Sequence, residues 1–167
     1  MFLVAILCAK GIPARARCGF GSYFNPGYFE DHWVCEYRNA AQARWVLADP
    51  QFDDVWRAKL KINHDVLDVP RDGFLVASEA RARCRAGQAD PSKFGIFEGD
   101  LRGLWFIAGG LVCDVAALNN MEMLAWDVWG AMPRPGEALS DALLAFFDRL
   151  AELTRQPIGS FNELRTL

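Results

Sequence analysis

His32 and Asp49 are the two residues of this chain whose types and surroundings best suit chemistry. An imidazole held beside a carboxylate is the base-and-orienter half of a nucleophilic triad. The carboxylate fixes the ring tautomer and stabilises the imidazolium, while the ring takes a proton from a nucleophile. Such a pair needs two strands to hold it. From His32 the chain alternates His32, Val34, Glu36 on one face and Trp33, Cys35, Tyr37 on the other, a period of two in strand-forming residues. Asn39-Ala40-Ala41-Gln42 reads as a four-residue connection and Arg44-Trp45-Val46-Leu47 as the returning strand. A turn centred between Ala40 and Ala41 sets His32 directly opposite Asp49, with Cβ atoms roughly 4.5–5.5 Å apart. A slip of one residue would break the pair. The competing reading is a surface histidine and an aspartate that opens the Asp49-Pro50 turn.

The flanking residues favour the first reading. The runs FLVAILCAKGIPARARCGF, DHWVCEY and RWVLADP closely resemble the transglutaminase-like superfamily, whose core is papain-like. In that family a helix carries the nucleophilic cysteine at its start and ends at a G-I-P-A-R-like turn. One strand follows, then a strand opening with the catalytic histidine, then one ending in the catalytic aspartate as D-P. Gly11-Ile12-Pro13-Ala14-Arg15, His32-Trp33-Val34-Cys35-Glu36-Tyr37 and Trp45-Val46-Leu47-Ala48-Asp49-Pro50 fill these places in order over the first third of the chain. The resemblance implies that His32 is the general base and Asp49 its orienting partner. It also implies a protein or peptide carboxamide substrate, with the acyl group passing to an amine or to water.

One part of the pattern is missing. In the family the cysteine lies about fifteen residues before the turn glycine, roughly four helical turns. Counting back from Gly11 passes Met1 first, so the sequence reads as a core truncated before its nucleophile. Cys8 stands in the last helical turn, about 18 Å along the axis from the required place, where the negative helix end raises a thiol pKa. Cys18, Cys35, Cys84 and Cys113 fall in a strand, on the wrong strand face or in later helices. All five cysteines therefore read as small buried thiols.

At 52% hydrophobic and 13% aromatic, the 167 residues specify a packed globule rather than a disordered chain. A net charge of −3 leaves no basic footprint for nucleic acid. Five cysteines without a C-x-x-C spacing argue against a disulfide framework or zinc knuckle and suit a reducing, cytoplasmic setting. No cofactor or metal site is expected: His64, Asp65 and Asp68 follow no ligand spacing. The apolar start lacks a signal peptide's basic region and cleavage site. It reads instead as the second half of a buried helix stopped at Gly11 and Pro13, whose Phe2, Leu3 and Ile6 would promote self-association if left exposed.

The remaining elements are mostly helical. Phe52, Val55, Trp56 and Leu60 mark a short amphipathic helix, residues 74–85 a second and residues 140–155 another. A face from Leu101 to Leu118, broken by Gly109-Gly110, is too short for a bilayer, so no membrane partner is expected. Trp126 and Trp129 read as core, and Ser160-Phe161-Asn162-Glu163 as a capping box. The Gly- and aromatic-rich stretch 19–30 reads as a packed loop that could bring Phe29, Asp31 and Trp33 beside His32 to wall a groove.

These readings give an α+β fold. Residues 1–62 form a truncated transglutaminase-like core, a small antiparallel sheet packed on the N-terminal helix, and residues 63–167 a helical extension on the same core. The intact protein would be a Cys-His-Asp acyltransferase or amide hydrolase, inactive as this chain stands. The alternative is a non-catalytic transglutaminase-like module that binds or scaffolds.

Overall fold

A computed structural model describes residues 2–121, 123, 124, 127, 128 and 130–166. Its axis is β1 (Ala14–Gly21), which pairs antiparallel with β2 (Phe29–Asn39) along its whole length, from Ala14 against Tyr37 to Gly21 against Glu30. β3 (Arg44–Ala48) lies on the outer edge of β2, and β4 (Phe74–Val76) covers only the last three residues of β1. The order is β3-β2-β1-β4, with a short β5 (Phe94–Gly95) parallel to the start of β2. The fold is thus α+β with a small, largely antiparallel sheet.

Helices α3 (Ala77–Arg85) and α4 (Leu104–Leu118) pack on this sheet, and α5 (Asp141–Arg155) packs on those two helices. Phe20 of β1 is buried with Leu75, Phe94, Ile107, Leu111 and Phe147 in one cluster drawn from both sides of residue 62. Of the Gly109-Gly110 pair that interrupts the apolar run in the sequence, Gly110 faces the sheet and Gly109 does not. A Cβ on Gly110 would stand 3.6 Å from both Phe20 and Ala77. The expectation of a sheet packed chiefly on the N-terminal helix is corrected accordingly. The first helix, α1 (Phe2–Ala9), touches β1 and β2 but buries none of its residues, and Phe2 is 87% exposed. The apolar, glycine-notched α4 fits the sheet more closely and supplies the core.

Other boundaries follow from local chemistry. α2 (Asp54–Leu60) is capped by Asp53, which accepts from the Trp56 N–H. Phe74–Val76 does not begin a helix as the pattern predicted, because the open flank of β1 recruits it as β4. Ser160 precedes a short α6 (Phe161–Leu164) but forms no capping box: its backbone is not extended, and Glu163 pairs with Arg149 instead. Trp126 and Trp129 lie outside the described residues. No described helix is long and apolar enough to cross a membrane.

The hairpin register also differs from the expectation. Asn39 faces Arg44 rather than Gln42, a slip of two residues. Asn39 Oδ1 accepts from the Gln42 N–H, and Ala43 takes a left-handed conformation (φ 51°), so Ala43 belongs to the turn. A slip of two preserves which side chains share a face.

Where β4 leaves the flank of β1 open, α4 closes it. The Cys18 N–H donates to Asp114 Oδ1 (3.0 Å), and Arg17 reaches the same carboxylate through Nε (3.0 Å) and Nη2 (2.8 Å). Arg17 Nη1 also donates to Glu36 Oε2 (3.0 Å), which accepts from Arg15 Nε (2.6 Å), while Arg71 Nη2 reaches Glu36 Oε1 (2.7 Å). Burial pushes the Glu36 carboxyl up, but Arg17, Arg15 and Arg71 outweigh it and hold the group at about 2. Stability from Glu36 is therefore complete above its unfolded value and is lost as pH falls from about 4.5 to 2. The loss is on the order of 3 kcal/mol. Urea midpoints across that range should show it, and Glu36→Gln should flatten the profile.

Candidate functional site

His32 stands on β2 opposite Gly19, a position where a Cβ would strike Leu75 O at 2.3 Å. Asp49 lies just past β3, where its N–H donates to Val66 O (2.7 Å). Because of the two-residue slip, the pair is diagonal rather than directly opposed. A diagonal Cβ separation of about 7–8 Å is within reach of two side chains of this length. His32 Nε2 and Asp49 Oδ2 are 2.8 Å apart. The sequence-predicted pair is brought together, by a route the predicted register did not contain.

Tyr23, which spacing and periodicity did not single out, completes the arrangement. Its Oη donates to the same Asp49 Oδ2 at 2.8 Å. Burial, then the Asp49 charge, push the Tyr23 phenol well above its ordinary range, so it stays a donor. With Asp49 Oδ2 as acceptor the contact places hydrogen on His32 Nε2, and in the neutral form of the ring the lone pair is then on Nδ1. Among the described residues no hydrogen bond occupies Nδ1. Asp49 is buried and the His32 side chain is 14% exposed. The ring is boxed by Phe24 (centroids 4.9 Å), Phe52 (6.3 Å) and Phe74 (6.4 Å). This is an imidazole held at one nitrogen by a buried carboxylate within an apolar wall.

The wall is not the predicted one. Phe29, Asp31 and Trp33 alternate onto the other face of β2, where Phe29 stacks on Phe94 and the other two line a separate cavity of about 210 Å³ with Trp105 and Cys113. Tyr23 and Phe24 from the loop take their place. A cavity of about 520 Å³ adjoins these two rings and includes His64, but neither His32 nor Asp49 lines it. The described residues contain no cluster of His, Cys, Asp and Glu able to hold a metal.

Asp31 gives a direct test of the cavity behind the pair. Burial pushes its carboxyl up to about 6, and the described residues give it no hydrogen-bond donor. Ionisation therefore costs the folded state increasingly as pH rises from about 3.8 to 6. Asp31→Asn should stabilise the protein by on the order of 3 kcal/mol near pH 8 and change little near pH 4, as read from urea melts at both values.

No cysteine completes the site. Cys35 lies on the opposite face of β2, and burial pushes its thiol up to about 11. Cys84 is likewise pushed up to about 11 by burial. A hydrogen bond with Cys113, then burial, raise Cys18. Each shift opposes thiolate formation. Cys8 is exposed rather than buried, because α1 is, and its Sγ lies 3.5 Å from Ala14 O. All five thiols are free. No protein-family model, curated protein or solved structure matches this chain.

Proposed function

We propose that this chain is the base-bearing body of a transglutaminase-like thiol acyl-transfer enzyme, with His32 as general base, Asp49 as its orienting partner and Tyr23 as the group that holds Asp49. The observation that supports it is the His32 Nε2–Asp49 Oδ2 hydrogen bond, shared with Tyr23, which leaves Nδ1 as the free lone pair. In the reaction, a cysteine thiol gives its proton to His32 Nδ1 and its sulfur bonds the carbonyl carbon of a carboxamide. The tetrahedral species collapses to a thioester as the amine leaves with the proton from His32. An acceptor amine or water then attacks the thioester, losing its proton to His32, and the thiol is restored.

The sulfur is not one of the five described cysteines, and the sequence resemblance assigns it to a helix position N-terminal to Phe2. The test expresses the chain together with the codons preceding Met1 in its gene, and assays amide hydrolysis and amine incorporation. Activity confined to the longer form and lost with His32→Ala supports the proposal. A folded longer form without activity rejects it.

A second reading, a non-catalytic binding module, is favoured by the low exposure of the dyad together with the raised thiols of Cys18, Cys35 and Cys84. It predicts that His32→Ala changes no acyl chemistry in any form of the chain.

A further inference from the structure

A cleft of about 400 Å³ on the flank of the sheet gathers guanidinium groups from four elements. Arg15 and Arg17 come from β1, Arg71 from the loop before β4, Arg83 from α3 and Arg155 from α5. Two carboxylates, Glu36 and Glu79, line it with them, and Asp114 sits behind Arg17. Five cations against three anions leave an excess of two positive charges in a chain whose net charge is −3.

The five arginines divide by what their donors do. Arg17 is saturated, with Nε, Nη1 and Nη2 all engaged by Asp114, Glu36 and the Thr154 carbonyl. It is structural. The other four each keep donors that no described residue accepts from. Arg15 spends only Nε on Glu36 and lies over the Trp45 ring at 4.1 Å. Arg71 spends only Nη2, on Glu36 and the Trp45 carbonyl. Arg83 spends Nε on Glu79, and Arg155 approaches Glu79 only to 3.8 Å. Planar forks with unused donors, partly desolvated in a concave site and in charge excess, are the geometry that binds oxyanions in bidentate fashion.

We propose that this cleft binds a small, multiply charged oxyanion. The volume exceeds what one phosphate needs and lies within the range of small-ligand sites, about 300–1,000 Å³. The stacked Arg15–Trp45 pair gives one wall a flat face for the organic part of such a ligand. The oxygens come from phosphoryl or carboxylate groups, whose recognition chemistry is shared. The site is separate from the His32 dyad and does not depend on its function.

Calorimetric titration of the full chain at fixed ionic strength in chloride, with inorganic pyrophosphate and with citrate, tests it. Saturable one-to-one binding of at least one is expected. Tighter pyrophosphate assigns a phosphoryl ligand, and tighter citrate a polycarboxylate. The pair Arg71→Gln with Arg155→Gln should weaken binding about tenfold or more, on the strength of charge-assisted hydrogen bonds. Glu79→Gln should strengthen it, by freeing donors and adding to the charge excess. Arg134→Gln with Arg149→Gln, an equal charge change outside the cleft, should leave it unchanged. Absence of saturable binding to either probe overturns the proposal. So does an equal loss in the outside pair, which would mean ionic attraction without a site. Should the cleft pair fail to fold, Glu79→Gln decides alone: no gain in affinity overturns the proposal.

Discussion

Asp114→Ala should destabilise the protein by about 3–5 kcal/mol, a large share of the roughly 5–15 kcal/mol that holds a domain together. Asp114 is buried and is the only described acceptor for the Cys18 N–H and for Arg17 Nε. Removing it leaves a buried guanidinium half-paired and a strand N–H without a partner, and each carries its full desolvation penalty. The geometry makes the effect specific. β4 covers β1 only from Gly19 to Gly21, so Asp114 substitutes for a strand at the point where the ladder stops. Replacing Arg17 and Asp114 together with leucines should cost less than Asp114→Ala alone, since no charge is then stranded and Glu36 keeps Arg15 and Arg71. Urea unfolding of the two variants measures the difference. A loss below about 1 kcal/mol in the single variant would show that water replaces the carboxylate without penalty.

The largest functional effect is expected at His32. In a form of the chain with acyl-transfer activity, His32→Ala should lower kcat by on the order of 10⁴–10⁶, the range seen when a triad base is removed. Asp49→Ala should cost somewhat less, because the ring loses its fixed tautomer but remains a base. Tyr23→Phe should cost least, about tenfold, since Tyr23 acts on the substrate only through Asp49 and His32. It should change kcat and leave KM near its original value. Equal losses for all three variants would mean that the dyad is a structural unit. In the chain as it stands none of the three should alter acyl chemistry, because none of the described cysteines contacts His32.

The site was legible to the extent that strand periodicity is. Alternation fixes faces, so a register wrong by two residues still put His32 and Asp49 on one side. The same rule places Phe29, Asp31 and Trp33 away from His32, against the expectation that they wall its groove, since odd and even positions of β2 face opposite ways. Tyr23 was not legible. Its contact with Asp49 spans a loop whose path depends on Gly21 and on the packing of Phe24 and Phe52, and no local pattern encodes it. The helices α2, α4 and α5 followed from apolar spacing. What the spacing could not tell was which helix covers the sheet. α1 and α4 are both strongly apolar, and the fit of Gly110 against Phe20 and Ala77 and the Asp114 bonds to β1, neither visible in the spacing, distinguish them. The buried Arg17–Asp114 pair joins residues far apart in sequence, and the charges of either segment give no sign of it.

The tautomer of His32 tests the central claim most directly, and it can be read in the chain as it stands. Long-range ¹H–¹⁵N correlation of the imidazole at alkaline pH should show hydrogen on Nε2 and a bare Nδ1, with a mixture of tautomers appearing in Asp49→Ala. Hydrogen on Nδ1, or the same mixture with Asp49 intact, would contradict a base held ready by Asp49 and Tyr23.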